Sequence, residues 1–232
     1  MTLRYPPILA YHRVAPEPDR TTPTLAPEAF DRQMNWIARN RRPVGLADWV
    51  GRIEQKKPIP VNEVVVTFDD GTADLYPHAF PILKRHRIPA LIFLITGMLD
   101  QPGYLTRDQV REMAAAGIGF GSHTVSHCYL PDADKNRLEQ EVTKSRETIR
   151  QLAGTGDWIS YPAGGFDPSV QAAVRRAGYR AACTTNRGTD PFRIDRWALR
   201  RVSMHARAGS PLGMAWRCSG WASINRRLRP PC

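Results

Sequence analysis

The stretch Val64-Val65-Val66-Thr67-Phe68-Asp69-Asp70-Gly71 decides the fold of this chain. Its apolar and β-branched residues predict a buried strand, and two adjacent carboxylates follow where that strand ends. Two acids side by side repel each other unless a proton or a cation lies between them. At the carboxyl end of a barrel strand, where active sites gather, this arrangement favours a cation site. Taken alone, the motif is also compatible with a turn in which Asp70-Gly71 only reverses the chain.

Further short apolar runs alternate with longer amphipathic stretches, which is the pattern of repeated βα units around a mostly parallel sheet. The predicted strands are Ile8 to Tyr11, Val64 to Phe68, Ala90 to Ile95, Ile118 to Gly121, Trp158 to Tyr161 and Tyr179 to Cys183. The sequence therefore predicts an α/β protein.

Helix signals occur between these strands. Thr106, with Gln109 three residues later, predicts a capped helix start. The stretch 134–153 carries one apolar face and predicts a helix that covers the sheet. The stretch 74–87 has helical spacing, but Pro81 predicts a lost hydrogen bond or a kink there.

The bulk properties fit one large domain: 232 residues, 42% of them hydrophobic, and a net charge of +11. Four scattered cysteines without a Cys-x-x-Cys pair argue against a disulfide framework and a cysteine zinc site. The first residues lack the pattern of a secretory signal, and the apolar runs are too short to span a bilayer. We therefore expect a cytoplasmic protein.

A second motif, Ser122-His123-Thr124-Val125-Ser126-His127, follows another predicted strand and places two imidazoles four residues apart. If the strand runs into a helical turn, both rings lie on one face and can bind one ion. Together with the Asp-Asp pair, this predicts a site of two histidines and one carboxylate with positions left open for water and substrate. Such a donor set suits Zn²⁺ best and leaves Co²⁺, Ni²⁺ and Mn²⁺ possible.

The two motifs closely resemble the first and second motifs of the polysaccharide deacetylases, the family with the NodB homology domain, also called carbohydrate esterase family 4. The resemblance extends from about Ile8 to about Arg207. It implies a distorted (β/α) barrel of seven strands in a single domain, which we place at residues 1–210. Residues 211–232 are then a basic and aromatic C-terminal extension.

The resemblance also implies roles for the site residues. Asp69 would be the general base, and Asp70, His123 and His127 would be the ligands of a divalent metal. The implied activity is a metal-dependent hydrolysis that removes N-acetyl groups from an amino-sugar-containing carbohydrate and releases acetate.

The family's third motif is matched in part by Ser160-Tyr161-Pro162-Ala163-Gly164-Gly165. Ser160 replaces the arginine that orients the base in other members. The backbone N–H of Ala163 is the implied oxyanion donor, and Tyr161 and Pro162 are expected to contact substrate. A plain Pro-Gly turn after a strand is the competing interpretation of this stretch.

The fourth and fifth motifs are weaker still. Thr184 to Asp190 does not reproduce the aspartate-rich fourth motif that supports the arginine. Because the third-motif arginine and its fourth-motif partner are both missing, the sequence resembles the exopolysaccharide and poly-N-acetylglucosamine deacetylases more than the peptidoglycan or chitin deacetylases. His205 resembles the fifth-motif histidine, the general acid for the departing amine. His12 resembles the Tyr-His found early in exopolysaccharide deacetylases and is expected to line the site.

Three alternatives stay open at this point. The altered third and fourth motifs are compatible with a non-catalytic carbohydrate-binding protein on a degenerate deacetylase barrel. Nucleic-acid binding rests on net charge alone, without a recognised motif, and we do not expect it. The stretch from Met214 to Cys232 mixes tryptophans with arginines. It is compatible with a packed helix or with a segment that contacts the inner face of an anionic membrane peripherally. Vesicle binding would test the second interpretation. The oligomeric state cannot be read from the sequence.

Overall fold

A computed structural model describes residues 7–185, 194–205 and 210–219. The strands are β1 Ile8–Tyr11, β2 Arg13–Val14, β3 Thr24–Leu25, β4 Arg42–Pro43, β5 Glu63–Phe68, β6 Ala90–Leu94, β7 Gly119–Ser122, β8 Trp158–Ser160, β9 Ala181–Thr184 and β10 Leu199–Ser203. The α-helices are α1 Pro27–Asn40, α2 Leu46–Glu54, α3 Ala79–His86, α4 Arg107–Ala115, α5 Lys135–Ala153, α6 Pro168–Arg176 and α7 Pro211–Arg217. Short 3₁₀ turns follow several strands, at Ala73–Leu75, Thr96–Met98, Leu130–Asp132 and Pro162–Gly164.

Seven parallel strands close into a barrel. The strands from β5 to β10 pair with their neighbours in chain order, and β1 pairs with both β10 and β5. The short strand β4 adds to the first residues of β5, outside the closed ring. The structure therefore confirms the expected distorted (β/α) barrel of seven strands in a single domain.

Successive side chains of β5 point alternately out of the barrel and into it, and this shows which residues fill the barrel. Val64, Val66 and Phe68 point outward and pack in the layer between the strands and the helices. Val65 belongs to a separate apolar cluster with Leu91 and other alternate strand residues, which fills the lower part of the barrel. The residues of α2 that join this cluster, Leu46, Trp49 and Val50, close the bottom of the barrel. The interior is thus apolar at the bottom, and the carboxyl ends of the strands are left for polar groups.

Local sequence signals explain most helix boundaries. Thr106 and Gln109 form the expected capping box at the start of α4. In α5, the apolar face of the 134–153 stretch is buried as expected. The kink expected at Pro81 is wrong: α3 begins only at Ala79, so Pro81 lies in the first turn, where its missing N–H needs no partner.

Strand β10 was not among the predicted strands, and α7 lies beyond the expected domain boundary. Met214 of α7 and Cys218 just after it are buried in the main core, while Leu212 is 84% exposed and Trp216 is 49% exposed. Residues 220–232, including Trp221 and Arg226, lie outside the described residues. The boundary at 210 and the membrane contact stay predictions. Within the described part of the chain, no helix is both long and apolar enough to cross a membrane.

Candidate active site

Asp70, His123 and His127 meet at the carboxyl ends of β5 and β7. The Oδ1 atom of Asp70 lies 3.6 Å from His123 Nε2 and 3.8 Å from His127 Nε2. The two imidazole rings stand edge to face, with their centroids 4.8 Å apart. One ligand atom from each residue lies within 4.8 Å of the others, so the three side chains form a group that could hold one metal ion.

The protonation of His123 suits a metal ligand. Its Nδ1 lies 2.7 Å from the backbone oxygen of Ser160, which can only accept, so Nδ1 carries the proton. The Nε2 lone pair therefore points toward Asp70. Burial lowers the pKa of His123 below its ordinary value, although Asp69 and Asp70 oppose that shift. A neutral imidazole with a fixed tautomer is what coordination of a divalent ion requires.

Residues 123–127, which we call the ligand loop, do not form the helical turn that the sequence reading assumed. Thr124 and His127 both lie in the left-handed region, with φ values of 69° and 60°. This conformation is rare for a β-branched residue such as Thr124 and costs about 1–3 kcal/mol per residue. The two rings therefore converge because the backbone is bent, and the expectation of a helical turn is wrong.

Polar contacts from two sides hold the ligand loop in this shape. Inside the loop, the Thr124 hydroxyl accepts from the N–H of His127 at 3.0 Å. From the neighbouring 3₁₀ turn, the N–H groups of Thr96 and Gly97 donate to the carbonyls of Thr124 and Val125 at 3.0 and 2.9 Å. The loop is thus fastened along its backbone, in addition to the hydrogen bond that the His123 side chain makes with Ser160.

Asp69, on the inner side of β5, is paired with an arginine. Arg201 donates from Nη1 to Asp69 Oδ1 at 2.7 Å and from Nη2 to Oδ2 at 2.6 Å. Arg201 Nη2 also donates to the Ser160 hydroxyl at 2.7 Å, and Nη1 to Thr67 Oγ1 at 3.2 Å. Both residues are buried. The carboxylate is therefore held in one orientation at the upper edge of the barrel interior.

The ionisation of Asp69 follows from this pairing. Burial alone raises the pKa of a carboxyl group. Here the charge of Arg201 and the hydrogen bonds it donates outweigh burial and hold the pKa of Asp69 below its ordinary value. Asp69 is thus a carboxylate that can accept a proton and cannot readily rotate.

Arg201 is the functional residue that the sequence reading missed. Ser160 does replace the arginine of the family's third motif, as stated above, but the expectation that the base loses its arginine is wrong. A guanidinium from β10 occupies that role instead, and Ser160 accepts one of its hydrogen bonds. A signal existed in Leu199-Arg200-Arg201-Val202-Ser203, where a short strand carries an arginine at an inward position.

The turn at Pro162–Gly164 presents the backbone of Ala163. Ala163 lies in the left-handed region with a φ of 52°, and it is exposed. The next two N–H groups donate to the carbonyls of Tyr161 and Pro162, whereas no acceptor for the Ala163 N–H is found within residues 7–185, 194–205 and 210–219. Thr184, from the end of β9, fastens the turn by donating to the Gly164 carbonyl at 2.8 Å. The expected oxyanion donor is therefore presented on a fixed turn.

The expected substrate contacts of Tyr161 and Pro162 stay predictions, and the structure shows both side chains engaged in packing. The Tyr161 ring is buried and stacks on Phe166, and its hydroxyl donates to the Trp197 carbonyl at 2.9 Å. Pro162 is buried too and begins the 3₁₀ turn. Both residues shape the wall beneath Ala163, because their groups are already engaged in packing.

His12 and His205 lie at the same end of the barrel. His12 directly follows Tyr11, whose carbonyl accepts from the N–H of Asp69 at 3.0 Å. His205 Nε2 lies 2.6 Å from the guanidinium of Arg217 and accepts from it, so its proton is on Nδ1. The roles of both histidines stay predictions. Residues 186–190 of the fourth-motif stretch lie outside the described residues.

An oriented carboxylate, a cluster of two histidines and one carboxylate, and an exposed backbone N–H lie together at the top of a seven-strand barrel, and these are the groups that a hydrolase of amide bonds needs. Residues 56–182, more than half of the chain, match the sequence model of the polysaccharide deacetylase family. The chain belongs to this family and is a carbohydrate N-deacetylase. Family membership and the intact charge pair thus speak against the non-catalytic alternative.

Individual relatives agree with the family. YxkH of Bacillus subtilis (strain 168), a protein assigned to the polysaccharide deacetylases, is 29% identical over 89% of this chain and 74% of its own length. The poly-β-1,6-N-acetyl-D-glucosamine N-deacetylase of Staphylococcus epidermidis is 23% identical over 83% of this chain and 72% of its own length.

Solved structures share the fold. The deacetylase PplD of Streptococcus pyogenes, determined with acetate, superposes with a TM-score of 0.82 at 24% identity, over 91% of this chain and 97% of that one. IcaB of Ammonifex degensii gives a TM-score of 0.79 at 25% identity, over 90% and 95% of the two chains.

Proposed function

We propose that this chain is a metal-dependent N-deacetylase that hydrolyses the acetamido group of an amino-sugar polymer. The observation that carries the proposal is the placement of the oriented carboxylate of Asp69 beside the cluster of Asp70, His123 and His127. The reaction adds water to the amide carbonyl carbon and breaks the carbon–nitrogen bond. Acetate leaves, and the sugar keeps a free amine.

The cluster fits a divalent ion in its donor chemistry. Asp70, His123 and His127 would hold it, and two imidazole nitrogens with one carboxylate favour Zn²⁺ over Co²⁺, Ni²⁺ or Mn²⁺. When bound, such an ion lowers the pKa of water and polarises a carbonyl oxygen. His127 is partly exposed, with 43% of its side chain accessible, so the cluster is open to substrate from the top of the barrel.

The residues of the chain supply the remaining steps. Asp69 takes the proton of the attacking water, and Arg201 keeps that carboxylate charged and aligned. The Ala163 N–H donates to the oxygen that gains charge as the carbonyl becomes tetrahedral. The leaving nitrogen needs a proton, and His205 is the residue we assign to deliver it, in the protonated form that arises when Nε2 takes up a proton in place of accepting from Arg217.

The substrate we propose is an exopolysaccharide of N-acetylglucosamine or a lipid-linked amino-sugar glycan. The Staphylococcus relative named for poly-β-1,6-N-acetyl-D-glucosamine supports the first option. The missing third-motif arginine sets this chain apart from the peptidoglycan and chitin pattern, and Arg201 compensates for it within the same site. A cytoplasmic location, peripheral to the inner membrane face, accords with the lipid-linked option and stays a prediction.

Acetate release tests the proposal. We expect wild-type protein to release acetate from N-acetylglucosamine oligomers or lipid-linked sugars, and we expect a chelator to abolish this release. Asp69→Asn should retain the metal and lose most of the activity, whereas His127→Ala should lose both. Full activity of purified Asp69→Asn, or activity that survives complete metal removal, would overturn the mechanism.

A further inference from the structure

Glu141 on α5 contacts the ligand loop through its carboxylate. Its Oε2 atom accepts from the consecutive N–H groups of Val125 and Ser126 at 2.8 and 2.9 Å. Its Oε1 atom accepts from the Ser126 hydroxyl at 2.5 Å. One carboxylate thus takes three donors that all belong to the two residues just before His127.

These donors need an acceptor because the ligand loop is irregular. A loop with left-handed residues at Thr124 and His127 cannot satisfy its own N–H groups by helical hydrogen bonds. Glu141 is 6% exposed, so its carboxylate is held against the ligand loop instead of extending into solvent. Without this side chain, two adjacent N–H groups would lose the acceptor that ties them to α5, and we expect the loop to relax toward a conformation that no longer brings the two histidines together.

The element that carries Glu141 is rigid. Helix α5 spans 19 residues, and its buried face includes Leu138, Val142 and Ile149. Next to Glu141, the Ser145 hydroxyl contacts Ser122 Oγ, at the end of β7, at 2.7 Å. Helix α5 is therefore anchored to the core and to the end of β7 as well as to the ligand loop.

We propose that Glu141 is a positioning residue for the metal site: its carboxylate fixes the bent ligand loop, and thereby the spacing of the two histidine nitrogens. The assignment rests on the proposed function, because it presupposes that His123 and His127 bind a metal. It adds a residue to the site that contacts neither the metal nor the substrate. What matters is the reach of an acceptor oxygen to the Val125 and Ser126 N–H groups, and not the negative charge.

Three substitutions of Glu141 distinguish the effect of the reach of its acceptor oxygen from the effect of its negative charge. Glu141→Gln keeps an acceptor oxygen at the Oε2 position, and the Ser126 hydroxyl can turn to accept from the new amide. Glu141→Asp keeps the charge but is one methylene shorter, and Glu141→Leu removes the acceptor. We expect Zn²⁺ affinity to fall about 10- to 100-fold in the Asp and Leu variants and to change no more than about threefold in the Gln variant, as is typical of residues that orient metal ligands.

Glu63 provides the matched control. It is another fully buried glutamate, but it lies at the opposite end of β5 and pairs with Arg52. Glu63→Gln and Glu63→Leu should lower the unfolding temperature of the metal-free protein without changing Zn²⁺ affinity. The comparison removes any general effect of losing a buried carboxylate.

Zn²⁺ affinity is measured by competition with a chromophoric chelator, and the visible spectrum of the Co²⁺-loaded protein reports the coordination geometry. The inference is supported if Asp and Leu at position 141 weaken binding and alter the Co²⁺ spectrum while Gln does neither. It is overturned if the Leu and Asp variants bind like wild type, or if Asp binds like wild type and Gln does not. Should the Leu variant fail to fold, the Asp and Gln variants decide. Wild-type protein that binds no metal would instead refute the proposed function.

Discussion

Asp69 and Arg201 form a charge pair in an interior where water solvates neither group. Removing two charges from water costs several kcal/mol per ion, and their attraction offsets this only when the geometry and the further hydrogen bonds are good. Here the pair is bidentate, and Ser160 and Thr67 accept additional hydrogen bonds from the guanidinium. A buried pair of this kind adds little net stability, so its value lies in holding a charged base in one orientation.

The family arginine and Arg201 should be partly interchangeable, because Ser160 and Asp69 both lie within hydrogen-bond distance of the same guanidinium nitrogen. Arg201→Ser leaves Asp69 buried without its partner, and we expect kcat to fall at least about 100-fold and stability to fall by about 3–5 kcal/mol. Adding Ser160→Arg should recover at least about tenfold in kcat. The measurement is acetate release at saturating substrate, with metal content determined for each protein.

A surface arginine serves as the control for this experiment. Arg180 pairs with Glu54 and Asp157, and its side chain is 41% exposed. Arg180→Ser should leave kcat near the wild-type value, because exposed ion pairs contribute little. An Arg201→Ser protein with bound metal and undiminished kcat would show that the base does not depend on the guanidinium.

At the residue scale, the sequence predicted site residues that lie close together in the chain and missed a contact between residues that lie far apart in it. Asp70, His123 and His127 belong to two short motifs, and their side-chain chemistry alone suggests a metal. Arg201 reaches Asp69 across 132 positions, so no local pattern joins them. Tyr161 shows a related limit, because the motif places the residue but does not show that its hydroxyl donates to the Trp197 carbonyl.

At the scale of single elements, the ligand loop shows a limit of spacing arguments. An i, i+4 pair of histidines fits a helical turn, but left-handed residues at Thr124 and His127 bring the rings together by another path. The spacing therefore predicted that the two imidazole rings would lie close together, but it did not predict the backbone conformation that brings them together. What specifies the bend is contact with other elements, from the Thr96–Met98 turn on one side and from α5 on the other.

The close approach of the Thr96–Met98 turn to the ligand loop requires a glycine at position 97. A Cβ added there would lie 2.7 Å from the Val125 carbonyl oxygen, whose place is already set by hydrogen bonds. In Gly97→Ala the backbone must move apart, and we expect a loss of about 1–3 kcal/mol in unfolding free energy. Because the displaced atoms belong to the ligand loop, Zn²⁺ affinity should also fall about tenfold or more.

Chemical denaturation of the metal-free protein and chelator competition measure the two effects separately. Gly51→Ala is the matched control: an added Cβ there meets nothing within 4 Å, and alanine favours the helix α2 that contains it. This variant should be as stable as wild type or slightly more stable, with unchanged metal affinity. If Gly97→Ala destabilised the protein yet bound Zn²⁺ normally, the turn would support the barrel without shaping the metal site.

The whole molecule divides its interior into an apolar lower part and a charged upper edge. Six of the seven ring strands could be read from short, mostly apolar runs between amphipathic stretches. The seventh strand, β10, was not predicted because Arg200 and Arg201 interrupt its apolar pattern. An arginine points into this barrel only because Asp69, on a distant strand, neutralises it. The sequence thus indicated the architecture, and the fold was needed to reveal which charges it encloses.

Metal binding should stabilise the whole barrel, because the cluster joins β5 to the loop after β7 and is assembled only in the folded chain. At a free Zn²⁺ concentration of about 100 times the dissociation constant, binding to the folded state adds about 2.7 kcal/mol. In a chain of this size that corresponds to an increase in Tm of roughly 5–10 °C. Differential scanning calorimetry in zinc and in chelator measures the shift, and His127→Ala, which loses one ligand, should show little of it. A wild-type Tm that is the same in both buffers would mean that the folded cluster does not bind Zn²⁺ in preference to the unfolded chain, and the metal assignment would then fail.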